Sequence, residues 1–372
     1  MILTQNCSIL CAMKTFEMTP DLNIKDVPPG AVFLDIETTG LSAERSHLYL
    51  FGCLWQEDGS WRFKQWLLES PFEERRALSE ISDHIGRFSL LIHFNGDRFD
   101  LPYLDIHARE REIDPPFLNL PSLDLYKQLR GCKNLFSMPG ARQKDFENFL
   151  GCRRQDRYDG GQLISIYHEY CKSGDAKLLE LLLLHNREDV LGMSALMDLL
   201  PYQRFNDPAA KLFDEPPVLI NEEKALTSRD SSALLRFSLT HDYPYTVSSH
   251  TGGIYLTIEK SSLRILLPIT NGELKHFFSP ARDYFYLPSE DMAIHKSVAS
   301  YVDPAYRQKA TPETCYIKRA GTFVPILNEE YREVYRETPA GERFALLSHA
   351  LLAETDLWNG IVHDIFDLIR RS

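Results

Sequence analysis

Five side chains in this sequence have the types and spacing of a hydrolytic metal centre: Asp35, Glu37, Asp100, His185 and Asp189. Asp35 and Glu37 stand two residues apart in FLDIETTG, at the end of an apolar run. Strand side chains alternate between faces, so both carboxylates project the same way. Asp100 closes HFNGDRFD, where the apolar run SLLIHF and a loop give way to a helix. His185 and Asp189 lie four apart in LLLLHNREDVLGM, which on a helix puts them on one face a turn apart. Each feature alone has a plain structural explanation. Asp-x-Glu pairs arise by chance, an Asp before LPYL is a good N-cap worth about 1 kcal/mol, and a His/Asp pair can be the solvated face of an amphipathic helix. Their conjunction and order point to chemistry. Hard divalent cations take oxygen ligands, and two of them can clamp the attacking and leaving oxygens of a phosphodiester. A neutral imidazole with a pKa of about 6.5 suits a general base near pH 7.

The surrounding pattern predicts the elements that must hold these groups. DVPPG closes an N-terminal arm over residues 1–29 and stops regular structure before AVFLDIE. HLYLFGCLWQ and WRFKQWLLE flank an Asp-Gly turn, so strands one to three are read as antiparallel. PFEERRALSEISDHIGRF has apolar Phe72, Leu78, Ile81 and Ile85 at helical spacing with acids in its first turn. SLLIHFN then reads as a buried strand, LPYLDIHARERE as a helix, and NLPSLDLYKQL as the opening of a fifth strand. Gln162 to Leu200 is helical, broken where Gly174 can cap one helix and Asp175 start the next. The expected fold is α/β: a mixed five-stranded sheet flanked by helices over 30–203. A proline-rich linker over 204–217 follows, then a β-rich α+β domain over 218–372. Its runs ALLRFSLT, GIYLTIE, SLRILLPI, ELKHFFS and DYFYLP alternate, and a helical tail spans Glu342 to Arg371. This second domain is assigned to substrate handling or partner docking; its Lys-, Arg- and Tyr-rich stretch HKSVASYVDPAYRQKATPETCYIKRAG would suit single-strand contacts.

At 372 residues, 44% apolar and 25% charged, the chain has the composition of a soluble globular protein of two domains. Its net charge of −12 does not mark it as a basic nucleic-acid binder as a whole; a carboxylate cluster becomes hospitable to phosphate only when cations load. Cys7, Cys11, Cys53, Cys132, Cys152, Cys171 and Cys315 form no Cys-x-x-Cys pair and are read as reduced cytoplasmic thiols without a functional role. No run approaches the roughly 18 apolar residues of a membrane span. Lys127, Arg130, Lys133, Arg142, Lys144, Arg153, Arg154 and Arg157 gather between the second and third motifs. They are either a phosphate-tracking rim or a solvated face, since Asp145, Glu147 and Asp156 are interspersed.

DIETTGL, FNG-x-x-FDLP and HN-x-x-DV, in that order and with DGGQLISIYHEYCKSGD ahead of the last, resemble the DEDD exonucleases of the ribonuclease H-like superfamily, and within them the YprB-like proteins. The resemblance covers residues 30–200. It implies a 3′→5′ exonuclease with two Mg²⁺ or Mn²⁺ ions held by Asp35, Glu37, Asp100 and Asp189, and with His185 as base. It also implies that Thr38 and Thr39 contact a terminal 3′-hydroxyl and that Leu41 wedges against the last base, though Leu41 reads equally as a staple on the sheet edge. Asn95 is expected to orient the loop carrying Asp100. The implied partner is nucleic acid with a free 3′ end, DNA in a repair setting beside a helicase. An RNA-trimming exoribonuclease and a catalytically silent nucleic-acid-binding scaffold on the same fold are the alternatives. The last motif departs from the common branches: His185 has three residues before Asp189, the spacing of the tyrosine branch with the residue of the histidine branch.

Overall fold

The computed structural model describes residues 13–24, 26–220, 232–326, 331 and 333–372; Cys7 and Cys11 lie outside them. The chain divides into one unit of residues 1–133 with 138–200 and another of residues 134–137 with 201–372. In the first, β1 (Lys14–Met18), β2 (Ala31–Thr38), β3 (Leu48–Glu57), β4 (Ser60–Leu67), β5 (Leu90–His93) and β6 (Ser122–Asp124) form one mixed sheet in the order β1-β4-β3-β2-β5-β6. Its helices are α1 (Glu74–Ile85), α2 (Asp100–Glu110), α3 (Leu125–Leu129), α4 (Gln143–Phe149), α5 (Gly160–Ser173) and α6 (Ala176–Ala195). The β3–β4 hairpin turns on Asp58 and Gly59, with φ of 50° and 77°; both are positive, as a two-residue turn matching strand twist requires. β2 runs parallel to β5, which needs a crossover, and α1 provides it.

The sheet has six strands where the pattern predicts five. The additional one, β1, comes from the N-terminal arm and is mostly exposed, so KTFEM shows none of the apolar alternation by which a strand is recognised. It pairs antiparallel with β4, and Lys14 Nζ fastens it to Glu69 Oε1 at 2.6 Å and the Tyr170 hydroxyl at 2.8 Å.

β2 serves two faces at once. Val32, Leu34 and Ile36 enter a core with Ile81 and Ile85 of α1 and Leu104 of α2. Asp35 and Glu37, of the other parity, face the side on which α6 packs over β2 and β3. There a second cluster of Tyr49, Leu50, Leu67, Leu163, Tyr167, Tyr170 and Leu182 closes the layer. α5 ends at Gly174, whose φ is 67°, and Asp175 caps α6 by accepting the Lys177 N–H, as the sequence pattern predicts.

In the second unit β7 (Val218–Leu219), β8 (Ser232–Ser238), β9 (Val247–Thr251), β10 (Ile254–Glu259) and β11 (Ser262–Pro268) make an antiparallel sheet in the order β7-β8-β11-β10-β9. β12 (Thr270–Phe277), β13 (Tyr284–Leu287), β14 (Met292–His295), β15 (Gln308–Lys309), β16 (Tyr316–Pro325) and β17 (Phe344–Leu346) form two three-stranded sheets, β12-β16-β17 and β14-β13-β15. Among the described residues its helices are α7 (Lys296–Ala299), α8 (His349–Leu352) and α9 (Thr355–Arg371). Residues 204–217 pack within this unit: Phe205 stacks on Phe366 of α9 at 4.2 Å, and Asn359 accepts the Leu212 N–H and donates to the Phe213 carbonyl. One expectation is corrected here. The tail read as helical from Glu342 begins instead with β17, because Phe344–Leu346 completes the ladder on β16.

Gly52 lies directly across from Asp35 in the β2–β3 register, and a Cβ there would meet Asn186 Oδ1 of α6 at 2.1 Å. Gly52→Ala is therefore expected to cost about 1–3 kcal/mol, the usual penalty for overpacking. The measurement is the urea midpoint, which should fall with the slope unchanged; an unmoved midpoint would mean that α6 does not seat tightly on β3.

Candidate active site

Each expected site residue sits where an element ends or faces inward. Asp35 and Glu37 project from β2 beneath α6; Asp35 is half-buried and Glu37 buried. Asp100 is the first residue of α2, and its role there is not capping: Phe99 is the N-cap, while Asp100 Oδ1 accepts the Ile36 N–H at 3.3 Å, tying the loop to β2. On α6, His185 is buried and Asp189 half-buried. Ligand atoms of Glu37, His185 and Asp189 lie within 4.8 Å of one another. His185 Nε2 is 3.2 Å from Asp189 Oδ2 and 3.5 Å from Glu37 Oε1. Asp35 is held beside this group by Asn186 Nδ2, which donates to its Oδ2 at 2.9 Å.

Burial is the main cause that lifts the Asp35 carboxyl well above its ordinary range, reinforced by the charges of Asp189, Glu37 and Asp100. Glu37 is raised for the same reason, with Asp189 and Asp100 contributing. Asp100 is pushed up to about 7, chiefly by burial, against the two backbone N–H groups that favour its ionised form. Carboxylates that cannot ionise comfortably together, all offering oxygen donors, are the donor set a divalent cation relieves. The residues present thus fit a metal.

Several partners were not foreseen. Asp156 Oδ2 takes the Nδ1 side of His185 at 2.7 Å. Burial opposes its charge, but the Tyr158 N–H, His185 and Lys144 together hold its carboxyl below the usual range. Arg154 turns inward to Glu147 and Asp189, and Asn186 is fully buried between Gln65 and Asp35. The expected basic rim is correspondingly depleted. Arg154 is internal, Lys144 bonds to Asp156 and the Tyr158 carbonyl, and Lys127 pairs with Asp97. A cation on a loop is most often solvated, so nothing local marks which one turns in; the nearest signal is that Arg154 and Asp156, two apart, both precede α5.

The expected substrate contacts form the turn after β2 and the loop before α2. Thr38 Oγ1 donates to the Gly40 carbonyl at 2.8 Å, and Thr39 Oγ1 accepts the His47 N–H at 3.0 Å. Leu41 is 89% exposed, which removes the staple reading. Asn95, at φ 63°, gives its N–H to Asp124 Oδ1 at 2.9 Å. Around this loop, His93 at the end of β5, Asp97 in the loop and Asp124 at the end of β6 also come within ligand distance of one another. His93 Nδ1 accepts the Gly96 N–H, however. His93 Nε2 stands 3.3 Å from Asp97 Oδ1, and Asp97 is held in turn by Ser122 and Lys127, so the group braces the loop that leads to Asp100.

The sheet and its helices define a ribonuclease H-like α/β fold, and the sequence profile of the RNase_H superfamily matches residues 32–201. No curated protein sequence matches the chain significantly. Among solved structures, Exonuclease I of Methylocaldum szegediense is similar at 12% identity, over 55% of this chain and 53% of that one, with a TM-score of 0.29. E. coli Exonuclease I in complex with a dT13 oligonucleotide is similar at 13% identity over 55% and 54%, TM-score 0.32. The family B DNA polymerase of Pyrobaculum calidifontis is similar at 12% over 92% and 46%, TM-score 0.36. The chain thus spans about half the length of these three proteins. Among the described residues no helix is long and apolar enough to cross a membrane.

A raised carboxyl makes the native state hold a proton that the unfolded chain, with an ordinary pKa of about 4, releases. That contribution is complete below the unfolded value and is lost as pH rises through the folded one, which for Asp100 is about 7. In metal-stripped protein, the stability of wild type relative to Asp100→Asn should therefore fall as pH rises from about 4 to 7. Paired thermal melts across that range give the answer; a pH-independent difference would mean Asp100 is not held protonated.

Proposed function

We propose that the chain is a divalent-metal-dependent nuclease, and specifically a 3′→5′ exonuclease acting on DNA. The observation that carries the reading is the convergence of Glu37, Asp189 and His185, with Asp35 and Asp100 pressing their charge on the same buried group. The RNase_H superfamily match over residues 32–201, which includes all five, supports it. The polarity and the DNA substrate rest on the resemblance to YprB-like DEDD exonucleases and on the exposed turn that carries Leu41.

Asp35, Glu37, Asp100 and Asp189 would hold the metal, which when bound lowers the pKa of water and neutralises charge at the phosphoryl oxygens. The chain's own part is positioning and proton transfer. With the Nδ1 proton of His185 donated to Asp156, Nε2 has its lone pair free to take the proton of the attacking water. Asn186 holds Asp35 from below, and the Ile36 N–H holds Asp100. Thr38 and Thr39 stiffen the turn that would meet the strand end, and Leu41 stands clear to wedge against its last base.

Stripping metal with EDTA should abolish shortening of a 5′-labelled strand, and Mg²⁺ or Mn²⁺ should restore it. Asp189→Ala should lose activity by orders of magnitude while still folding. His185→Ala should lose roughly 10²–10⁴-fold in kcat with little change in KM, the span for losing a general base. DNA and RNA, blunt and single-stranded, are compared in one assay, together with a 3′-phosphate end that should block. Cleavage of closed circular strands, or full activity in EDTA after stripping, would end this reading.

A further inference from the structure

Behind Asp189 lies a polar chain with no place in the chemistry above. Glu147 of α4 is 2% exposed. Both its oxygens engage Arg154: Oε2 takes Nε, and Oε1 takes Nη2 at 2.6 Å. The remaining fork nitrogen, Nη1, goes to Asp189 Oδ1. Gln143 secures the far side, donating to Glu147 Oε1 at 2.8 Å and to the Asp189 carbonyl at 2.7 Å. Room for this arrangement exists because residue 192, less than a turn after Asp189, is glycine: a Cβ there would stand 1.9 Å from Glu147 Oε1. With Oδ1 engaged, Asp189 presents Oδ2 toward His185 Nε2, the side on which Glu37 also lies.

We propose that Arg154, clamped by Glu147, is a positioning residue that fixes the Asp189 carboxylate with one oxygen turned to the cation site, and so sets the affinity for divalent metal. This rests on Asp189 being a metal ligand. Arginine suits the task where lysine does not, since its planar fork serves two carboxylates at fixed angles. A bare cation so close would compete with metal for Asp189, but the Glu147–Arg154 pair is formally neutral. What it supplies is orientation, and loss of such outer partners typically weakens metal binding about 10–100-fold.

The test is Mn²⁺ binding to the metal-stripped full chain by isothermal titration calorimetry, with no nucleic acid present. Two variants probe the relay by different routes. Glu147→Gln with Arg154→Gln removes the fork at constant net charge. Gly192→Ala leaves every relay residue in place but displaces the Glu147 carboxylate, while removing a helix-weakening glycine, so that its fold should persist in thermal melts. Both are expected to raise the Mn²⁺ Kd roughly 10–100-fold, and Arg154→Lys should recover only part. Unchanged or tighter binding in either folded variant overturns the relay, tighter binding identifying Arg154 as a competitor. If the unaltered chain binds no Mn²⁺, or Asp189→Ala binds it equally well, the metal-site reading itself falls and the relay with it.

Discussion

Like charges gathered in a buried place must be compensated, and around the end of β2 this requirement decides what the neighbouring elements carry. Asp35 and Glu37 leave the strand on the face that α6 covers, and Asp189 comes down from α6 to meet them. Burial first, and then the Asp189 charge, raises the carboxyls of Asp35 and Glu37. Donors and a cation meet them: the Asn186 amide on Asp35, the Ile36 N–H on Asp100, the Tyr49 hydroxyl on Glu37, and Arg154 on the outer oxygen of Asp189. Packing and electrostatics are therefore one problem here. Gly52 is bare so that Asn186 can reach Asp35, and Gly192 is bare so that Glu147 can reach Arg154.

The division of labour on α6 follows from its pitch. His185 and Asp189, a turn apart, face the acids, while Asn186 points to the strand backbone and Gly192 to α4. One rigid helix thus presents an imidazole, a carboxylate and a supporting amide at fixed mutual distances, which a loop could not do.

What could be read from the sequence was whatever is encoded locally. The parity of Asp35 and Glu37 follows from strand alternation, the shared face of His185 and Asp189 from helical spacing, and the α5–α6 break from Gly174 and Asp175. What stayed hidden depends on contacts between residues distant in sequence. Arg154 looked like one of several loop cations until Glu147 and Asp189 enclosed it. Asn186 carries no local signal, because the Gln65 and Asp35 that engage its amide are far away in the sequence. The prolines of residues 204–217 are visible in the sequence, whereas the stacking of Phe205 on Phe366 is not.

The pairing of β1 with β4 bears on the molecule's solubility. β4 is an eight-residue strand at what would otherwise be the border of the sheet, and a bare border of that length is a row of amides and carbonyls open to any passing chain. β1 occupies that row with a short, polar segment whose own outer side is mostly exposed. The Lys14 contacts to Glu69 and Tyr170 keep the cover in place. β1 thus acts as an edge guard: its five residues pair with Phe63–Leu67 and leave a short, mostly exposed polar strand as the margin of the sheet.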